Sequence, residues 1–302
     1  MKGIVLAGGN GSRLYPMTAT ITKQLLPIYD KPMIYYPIAT LMLAGIREIL
    51  LITTPKDVDR YRDLLGDGAR WGLEISYATQ ALPNGIAQAY LIGREFVNHR
   101  PSALVLGDNL FFGSGLSRLL TSAARLAHGA HIFACRVEDP ERYGVVELDA
   151  QGQPVAIVEK PQAPRSNWAV TGLYFYDGRA SDMARELRPS ARGELEISDL
   201  NARYLAAGEL AVTRLGRGFA WLDTGTPESL NAASQFVGTL ETRQGVKIAC
   251  LEEIALTQGF IDVDTFARMA ATAPASDYGR YLRSLLSDLE IDAAGPSLRV
   301  AG

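Results

Sequence analysis

Three glycines in four positions, Gly8, Gly9 and Gly11, follow the apolar run Ile4-Val5-Leu6-Ala7 and lead through Asn10 and Ser12 to Arg13. Glycine lets successive backbone N–H groups turn toward one point and clears the side chains that would hold a ligand away. Such a turn forms a concavity that takes an anion, and an arginine beside it adds a planar fork of donors suited to phosphate. Lys23, in Thr22-Lys23-Gln24-Leu25-Leu26-Pro27, brings a point charge to the next apolar segment. Together these residues read as a polyphosphate cradle; the competing reading is a tight turn after a strand. A dinucleotide site fits less well. Gly9-x-Gly11 lacks its third glycine, since Leu14 occupies that position, and Pro16 interrupts the helix that should follow, although Asp30 stands about where that fold places its ribose acid. The lysine-containing P-loop pattern is missing from the sequence.

Further stretches carry acids and amides. Asp108, in Leu106-Gly107-Asp108-Asn109, and Asp223, in Trp221-Leu222-Asp223-Thr224, each close a strand-like run. One such acid alone suits a turn or a cap. Two, with a phosphate cradle, suit a divalent ion, which takes one or two carboxylates together with substrate phosphates. Glu159-Lys160-Pro161 sets an acid beside a base at a strand end, as either an edge-strand device or a site for a phosphorylated polyol. Gln80 precedes the turn Pro83-Asn84-Gly85, and its amide offers both a donor and an acceptor.

The elements that must hold these residues alternate. Continuous apolar runs at 49–53 and 103–106 and the alternating run 73–78 read as strands; 33–44, 58–65 and 86–96 read as helices. The alternation predicts an α/β, Rossmann-like, mostly parallel mixed sheet flanked by helices, with ligands at the carboxyl ends of its strands. From 143 to 175 strands follow one another with short connections. Thr226-Pro227 opens a helix, Thr as cap and Pro at the first position. Beyond Gly245 only helices are expected, at 251–258, 263–271 and 278–289. The predicted organisation is a core over 1–240, divided near 135 into a nucleotide part and a sugar-phosphate part, then a small C-terminal helical appendage over 241–290 and a frayed tail over 291–302.

The 302 residues are 47% hydrophobic with a net charge of −3, enough for a sizeable core and too acidic for general attraction to nucleic acid. Cys135 and Cys250 lie far apart, which indicates no disulfide framework or zinc site, and Cys135 is expected to be buried in a strand. His99, His128 and His131 lack metal-ligand spacing and are expected at the surface or at strand ends. No run reaches the ~18 apolar residues of a membrane span, and no leader segment is evident; a cytoplasmic protein is expected.

The segments 6–14, 23–27, 80–89, 106–110, 159–161, 189–199 and 220–227 resemble the sugar-1-phosphate nucleotidyltransferases, and as a set their thymidylyl branch. The resemblance implies transfer of dTMP from dTTP to α-D-glucose 1-phosphate with Mg²⁺ as cofactor, an early step toward deoxysugar nucleotides. It implies nucleotide contacts from Leu6, Ala7, Gly8, Gly9, Asn10, Gly11, Ser12, Arg13, Lys23, Gln24, Gln80, Pro83, Gly85 and Asp108. Sugar-phosphate contacts are implied for Asn109, Tyr143, Gly144, Glu159, Lys160, Val170, Arg192 and Trp221, and metal ligation for Asp108 and Asp223. Arg13, Lys23, Asp108 and Asp223 form the implied catalytic set. A homotetramer and feedback by dTDP-L-rhamnose are implied as well. Uridylyl or cytidylyl transfer on the same fold and a non-catalytic sugar-nucleotide-binding subunit remain as alternatives.

Overall fold

The computed structural model describes residues 1–9 and 11–294. Its strands are β1 (Lys2–Ala7), β2 (Pro27–Ile28), β3 (Lys31–Pro32), β4 (Glu48–Thr53), β5 (Glu74–Thr79), β6 (Ser102–Leu106), β7 (Asn109–Gly113), β8 (Ala130–Arg136), β9 (Gly144–Leu148), β10 (Pro154–Glu159), β11 (Trp168–Tyr176), β12 (Leu210–Leu215) and β13 (Phe219–Asp223). Its α-helices are α1 (Tyr35–Leu43), α2 (Val58–Leu65), α3 (Gln88–Ile92), α4 (Arg94–Val97), α5 (Leu116–Ala124), α6 (Ala180–Arg185), α7 (Ile197–Ala206), α8 (Pro227–Gln244), α9 (Leu251–Thr257), α10 (Val263–Thr272) and α11 (Asp277–Ala294).

A nine-stranded mixed sheet carries the fold. Strands β5, β4, β1 and β6 lie side by side and parallel, with Val5 level with Leu51 on one side and Val105 on the other. The second half turns on the long strand β11, which runs antiparallel to β6, β8 and β9. Strand β1 alternates between the two faces, as a central strand buried on both sides must. Val5 and Ala7 join the core under α1, α2, α5 and α9, while Ile4 and Leu6 join the core under α3, α6 and α7. Because the four parallel strands share one direction, the residues just after Ala7, Thr79 and Leu106 come out at the same edge.

The expected helix over 86–96 divides into α3 and α4 at Gly93. The sheet packs tightly there: a Cβ on Gly93 would sit 3.1 Å from a Leu50 methyl and 3.3 Å from an Ile4 methyl. Helix α8 begins as expected, with Thr226 accepting from the Ser229 backbone N–H and Pro227 in the first turn, and ends on Gly245 at φ 68°. Helices α9, α10 and α11 follow, and α10 and α11 close a small core around Cys250, Phe266 and Leu282. Helix α11 takes in 291–294, the first part of the expected tail; 295–302 lie outside the described residues. No described helix is long and apolar enough to cross a membrane.

Cys135 is only partly buried, not fully as expected. It is the penultimate residue of β8, where the sheet cover thins and its thiol faces the Arg136 carbonyl. His99 and His128 are exposed, whereas His131 is part-buried within β8 and hydrogen-bonded to Thr213.

Candidate active site

Strand β1 ends at Ala7 and the chain turns through Gly8 and Gly9, the latter at φ 100°. Asn10 lies outside the described residues. Gly11, at φ 58°, precedes a single 3-10 turn over Ser12–Leu14 that buries Leu14 and leaves Ser12 and Arg13 at the surface. A second 3-10 turn, Lys23–Leu25, folds back under the loop, burying Lys23 and Gln24. Gln24 donates to the Gly8 carbonyl at 3.4 Å, and its own oxygen accepts from Thr22 at 3.1 Å.

Two cavities open along the carboxyl edge of the sheet. One, of about 210 Å³, is bordered by Leu6, Gly8, Gly9, Gln24, Gln80, Pro83, Gly85 and Asp108, with Ile86, Leu106 and Glu194. The other, of about 220 Å³, is bordered by Arg13, Asn109, Tyr143, Gly144, Glu159, Lys160, Val170, Trp221 and Asp223, with Arg142, Gly172, Tyr174, Ile197 and Ser198 among its remaining walls. Ile86, Leu106 and Asp108 border both. The first cavity collects most of the residues expected at a nucleotide, and the second most of those expected at a sugar phosphate. Arg13, expected at the nucleotide phosphates, borders the second cavity. Lys23 stands behind Asp108, and Ala7, Gly11 and Ser12 border neither cavity.

Asp108 and Asp223 are brought together by a short two-stranded sheet. Strand β7 starts directly after Asp108 and pairs antiparallel with β13, placing Asp223 opposite Asn109. The Thr224 N–H and hydroxyl then donate to the Asp108 carbonyl at 3.2 and 2.9 Å. Burial opposes ionisation of Asp108, but the Lys23 ammonium at 2.5 Å and the Asn109 amide at 3.0 Å outweigh it and hold the carboxyl below the ordinary carboxylate value. Asp223 moves the other way. Burial and then the charge of Asp108 push it up, against Lys23, Arg13 and Arg142. Two carboxylates that repel across a cleft are a donor set that fits a divalent cation, with phosphate oxygens to complete its shell. The described residues hold no cluster of three or more His, Cys, Asp or Glu suited to a metal, so this pair is the candidate.

The second cavity is held by polar cross-links. Asn109, buried, accepts at Oδ1 from the Trp221 indole at 2.6 Å and the Gly172 N–H at 3.1 Å. Trp221 packs edge-on against Tyr143, ring centroids 5.1 Å apart. Glu159 accepts from the Ser198 hydroxyl at 2.5 Å, and Gly144 leaves room for both: a Cβ there would lie 2.8 Å from that hydroxyl. Lys160, at φ 42°, has its ammonium 3.8 Å from Glu159 and stays half-exposed.

Arg192 stands apart from the lining. It is gripped by Glu196 at 2.8 Å, Glu159 at 3.3 Å and Glu194 at 3.6 Å. Asp30, which stands where a dinucleotide fold places its ribose acid, instead pairs with Lys31 and Lys247 next to the buried Glu241 of α8. Arg142, Ser198 and Gln88 were not anticipated. Arg142, 2.6 Å from Asp139 and 4.0 Å from Asp223, carries a sequence signal in Asp139-Pro140-Glu141-Arg142 directly before Tyr143. Ser198 donates to Glu159 and Gln88 accepts from Gln80, and neither leaves a spacing signal.

Comparison with known proteins gives the family. Residues 2–239 match the nucleotidyl transferase family. A glucose-1-phosphate thymidylyltransferase of Xanthomonas campestris pv. campestris is 59% identical over 284 residues, 94% of this chain and 96% of that protein. The chain belongs to the nucleotidyl transferase family, in its glucose-1-phosphate thymidylyltransferase branch. A Neisseria meningitidis relative of the same name is 57% identical over 95% of this chain and 99% of its own. A crystal structure from Bacillus anthracis, assigned as a glucose-1-phosphate thymidylyltransferase and solved with sucrose, superposes with TM-score 0.73 at 39% identity, covering 78% of this chain and 94% of that one. A UDP-glucose pyrophosphorylase bound to UDP-glucose superposes with TM-score 0.69 at 25% identity, over 79% and 98%. This nucleotidyl transferase family member thus shares its mixed sheet with its structural neighbours, and its C-terminal helices follow that core. Enzymes of this family use a divalent metal, which suits the facing carboxylates of Asp108 and Asp223.

Proposed function

We propose that this enzyme transfers the dTMP group of dTTP to α-D-glucose 1-phosphate, giving dTDP-glucose and pyrophosphate. The observation that carries the reading is the wall of Ile86, Leu106 and Asp108 shared by the two cavities. A nucleotide seated on the Gln80 side and a sugar phosphate seated on the Glu159–Lys160 side meet at that wall. There an oxygen of the sugar phosphate bonds to the α-phosphorus as the bond to the bridging oxygen breaks, and pyrophosphate leaves with the electron pair. The nucleophile brings its own charge, since a phosphomonoester has a second pKa of about 6. A general base is unnecessary, and no described histidine borders either cavity.

What remains is to hold two polyanions in line against their repulsion. The backbone N–H groups at Gly8 and Gly9 donate to the nucleotide phosphates. Lys23, paired with Asp108 from behind, supplies positive charge on the α-phosphate side, and Arg13 lies where the two substrates join. Lys160 pairs the incoming phosphate, Glu159 takes sugar hydroxyls, and Tyr143 and Trp221 wall the sugar. Arg192 steadies Glu159 at the rim and is the second ligand for the incoming phosphate. Asp108 and Asp223 hold Mg²⁺, which supplies charge neutralisation at the phosphates.

The thymidylyl resemblance also supports a homotetramer inhibited by dTDP-L-rhamnose. Light scattering at four chain masses and inhibition that is not competitive with dTTP would bear these out. Dependence on a nucleoside triphosphate supports a cytoplasmic location. The principal experiment measures pyrophosphate release from dTTP, UTP, dCTP and ATP with glucose 1-phosphate and Mg²⁺. The fastest release is expected from dTTP. Some release from UTP should accompany it, because the two bases differ by one methyl, worth about 1–3 kcal/mol. No release from any of the four would overturn the proposal.

A further inference from the structure

We propose that Gln88 is a positioning residue: it fixes the amide of Gln80 so that the nucleobase pocket presents an acceptor and discriminates against cytosine. The inference rests on the nucleotide being seated in the Gln80 cavity, as proposed above. Gln80 follows β5, and its N–H donates to the Thr53 carbonyl at 2.7 Å, which ties its backbone to the sheet. Its side chain is buried and its Nε2 makes two contacts, to the Gln88 Oε1 at 2.7 Å and to the Gly85 carbonyl at 3.3 Å. A primary amide has two N–H donors, so both are spent inside the protein.

The direction of the amide follows from these partners. The Gly85 carbonyl can only accept, so a nitrogen must face it. That contact is the longer of the two, and the Gln88 oxygen supplies the shorter. Gln88 opens α3 and does not border the cavity, so it acts only through Gln80. The Gln80 Oε1 is left over. It accepts from none of the described residues and points past Gly8, where a Cβ would come within 2.7 Å of it. The Gly85 N–H, on the same cavity, likewise donates to no described acceptor. The pocket therefore offers an acceptor from Gln80 and a donor from Gly85. Thymine and uracil present N3–H beside O4, the complementary pair. Cytosine presents an N3 lone pair beside an N4–H donor, which is the reverse.

Releasing Gln88 leaves the longer, 3.3 Å contact to the Gly85 carbonyl as the one remaining restraint on the Gln80 amide, which can then rotate and present its nitrogen to N3 of cytosine. The test is the ratio of dissociation constants for dTTP and dCTP, measured by calorimetry on the full chain, for the wild type and for Gln88→Leu, Gln88→Met and Gln88→Glu. Wild type should favour dTTP. In Gln88→Leu and Gln88→Met the preference should shrink by at least about tenfold, the factor of one hydrogen bond. Gln88→Glu keeps an acceptor oxygen and should keep the wild-type preference; the dTTP/dCTP ratio is a readout that a merely structural role would not move. Thermal unfolding identifies any variant that fails to fold, and the remaining variant of the Leu/Met pair then decides. An unchanged ratio in the folded Leu or Met variant would overturn the proposal, as would a wild type that binds dCTP as well as dTTP. Because the readout is binding, failure of the transfer reaction itself would appear separately, as a wild type that binds dTTP and makes no dTDP-glucose.

Discussion

Asp223 stands opposite Asn109 in the antiparallel pairing of β7 with β13, and this register sets its carboxylate against that of Asp108. The two acids are more than a hundred positions apart in the chain. They meet because β7 leaves the main sheet immediately after Asp108 and pairs with β13 to form a sheet of two strands. Asn109 then serves both sides of the junction. It donates to Asp108 and accepts from Trp221, so a side chain in the sugar cavity and a carboxylate between the two cavities are fixed by one amide.

The raised pKa of Asp223 separates its function from its contribution to folding. Burial and the nearby Asp108 make its ionised form costly in the folded chain. Asp223→Asn removes that charge without changing its shape. Thermal unfolding without divalent metal should show a melting temperature equal to or above wild type. Turnover with Mg²⁺ should fall by about two orders of magnitude, corresponding to roughly 3 kcal/mol of lost transition-state stabilisation. Near-normal turnover would remove the metal assignment.

Asn109→Ala should behave differently. It leaves the Trp221 indole N–H and the Gly172 N–H without their acceptor, each at a cost of about 1–3 kcal/mol where burial is complete. Urea unfolding should therefore show a lower midpoint with an unchanged slope, and the KM for glucose 1-phosphate should rise with it. Gly172→Ala should mimic the defect, because a Cβ there would lie 2.6 Å from the Asn109 oxygen.

The strand ends that carry the site were legible because parallel central strands are written as continuous apolar runs. Strands β1, β4 and β6 each announce themselves this way, and the residues after Ala7 and Leu106 follow from the rule that ligands sit at carboxyl ends. Asp108 and Asp223 could be paired as acids of one kind from their positions after strands. Their meeting through β7 could not be derived, since antiparallel partners so far apart share no local pattern. Gly93 was hidden for a similar reason: a helical period runs through it, and only the approach of Leu50 and Ile4 shows why a glycine stands there. Residues that act on other side chains, such as Gln88 on Gln80 and Ser198 on Glu159, leave no spacing signal at all.

The family resemblance implies sugar-phosphate contacts for both Lys160 and Arg192, yet their surroundings predict different phenotypes. Lys160 is half-exposed and has only a loose contact with Glu159, at 3.8 Å. Lys160→Ala should leave the melting temperature unchanged and raise the KM for glucose 1-phosphate by about tenfold or more, from loss of a charge-assisted bond worth about 1.5–3 kcal/mol. Arg192 is the common partner of Glu159, Glu194 and Glu196. Arg192→Ala leaves three carboxylates facing one another and should lower the melting temperature as well as substrate affinity. Equal melting temperatures for the two variants would contradict this distinction.

Acid stability should depend on Asp177, remote from the site. Its carboxylate accepts from the Gly129 N–H at 2.7 Å, the Tyr204 hydroxyl at 2.8 Å and the Arg179 guanidinium at 2.6 Å, tying the start of β8 to α7. Burial works against its ionisation, but these partners, Arg179 foremost, outweigh it and hold the folded-state pKa below the ordinary value of 3.8. A carboxyl with a depressed folded pKa binds fewer protons folded than unfolded. Its stabilisation is therefore complete above the unfolded value, near pH 4, and is lost as the pH falls through the lower folded one. Asp177→Asn should lower the melting temperature at pH 7 and flatten its dependence on pH below about pH 4. Melting temperatures of wild type and variant, measured at intervals from pH 7 to pH 3, should converge toward the acid end. Curves that run parallel over that range would show that Asp177 titrates alike in the folded and unfolded chain.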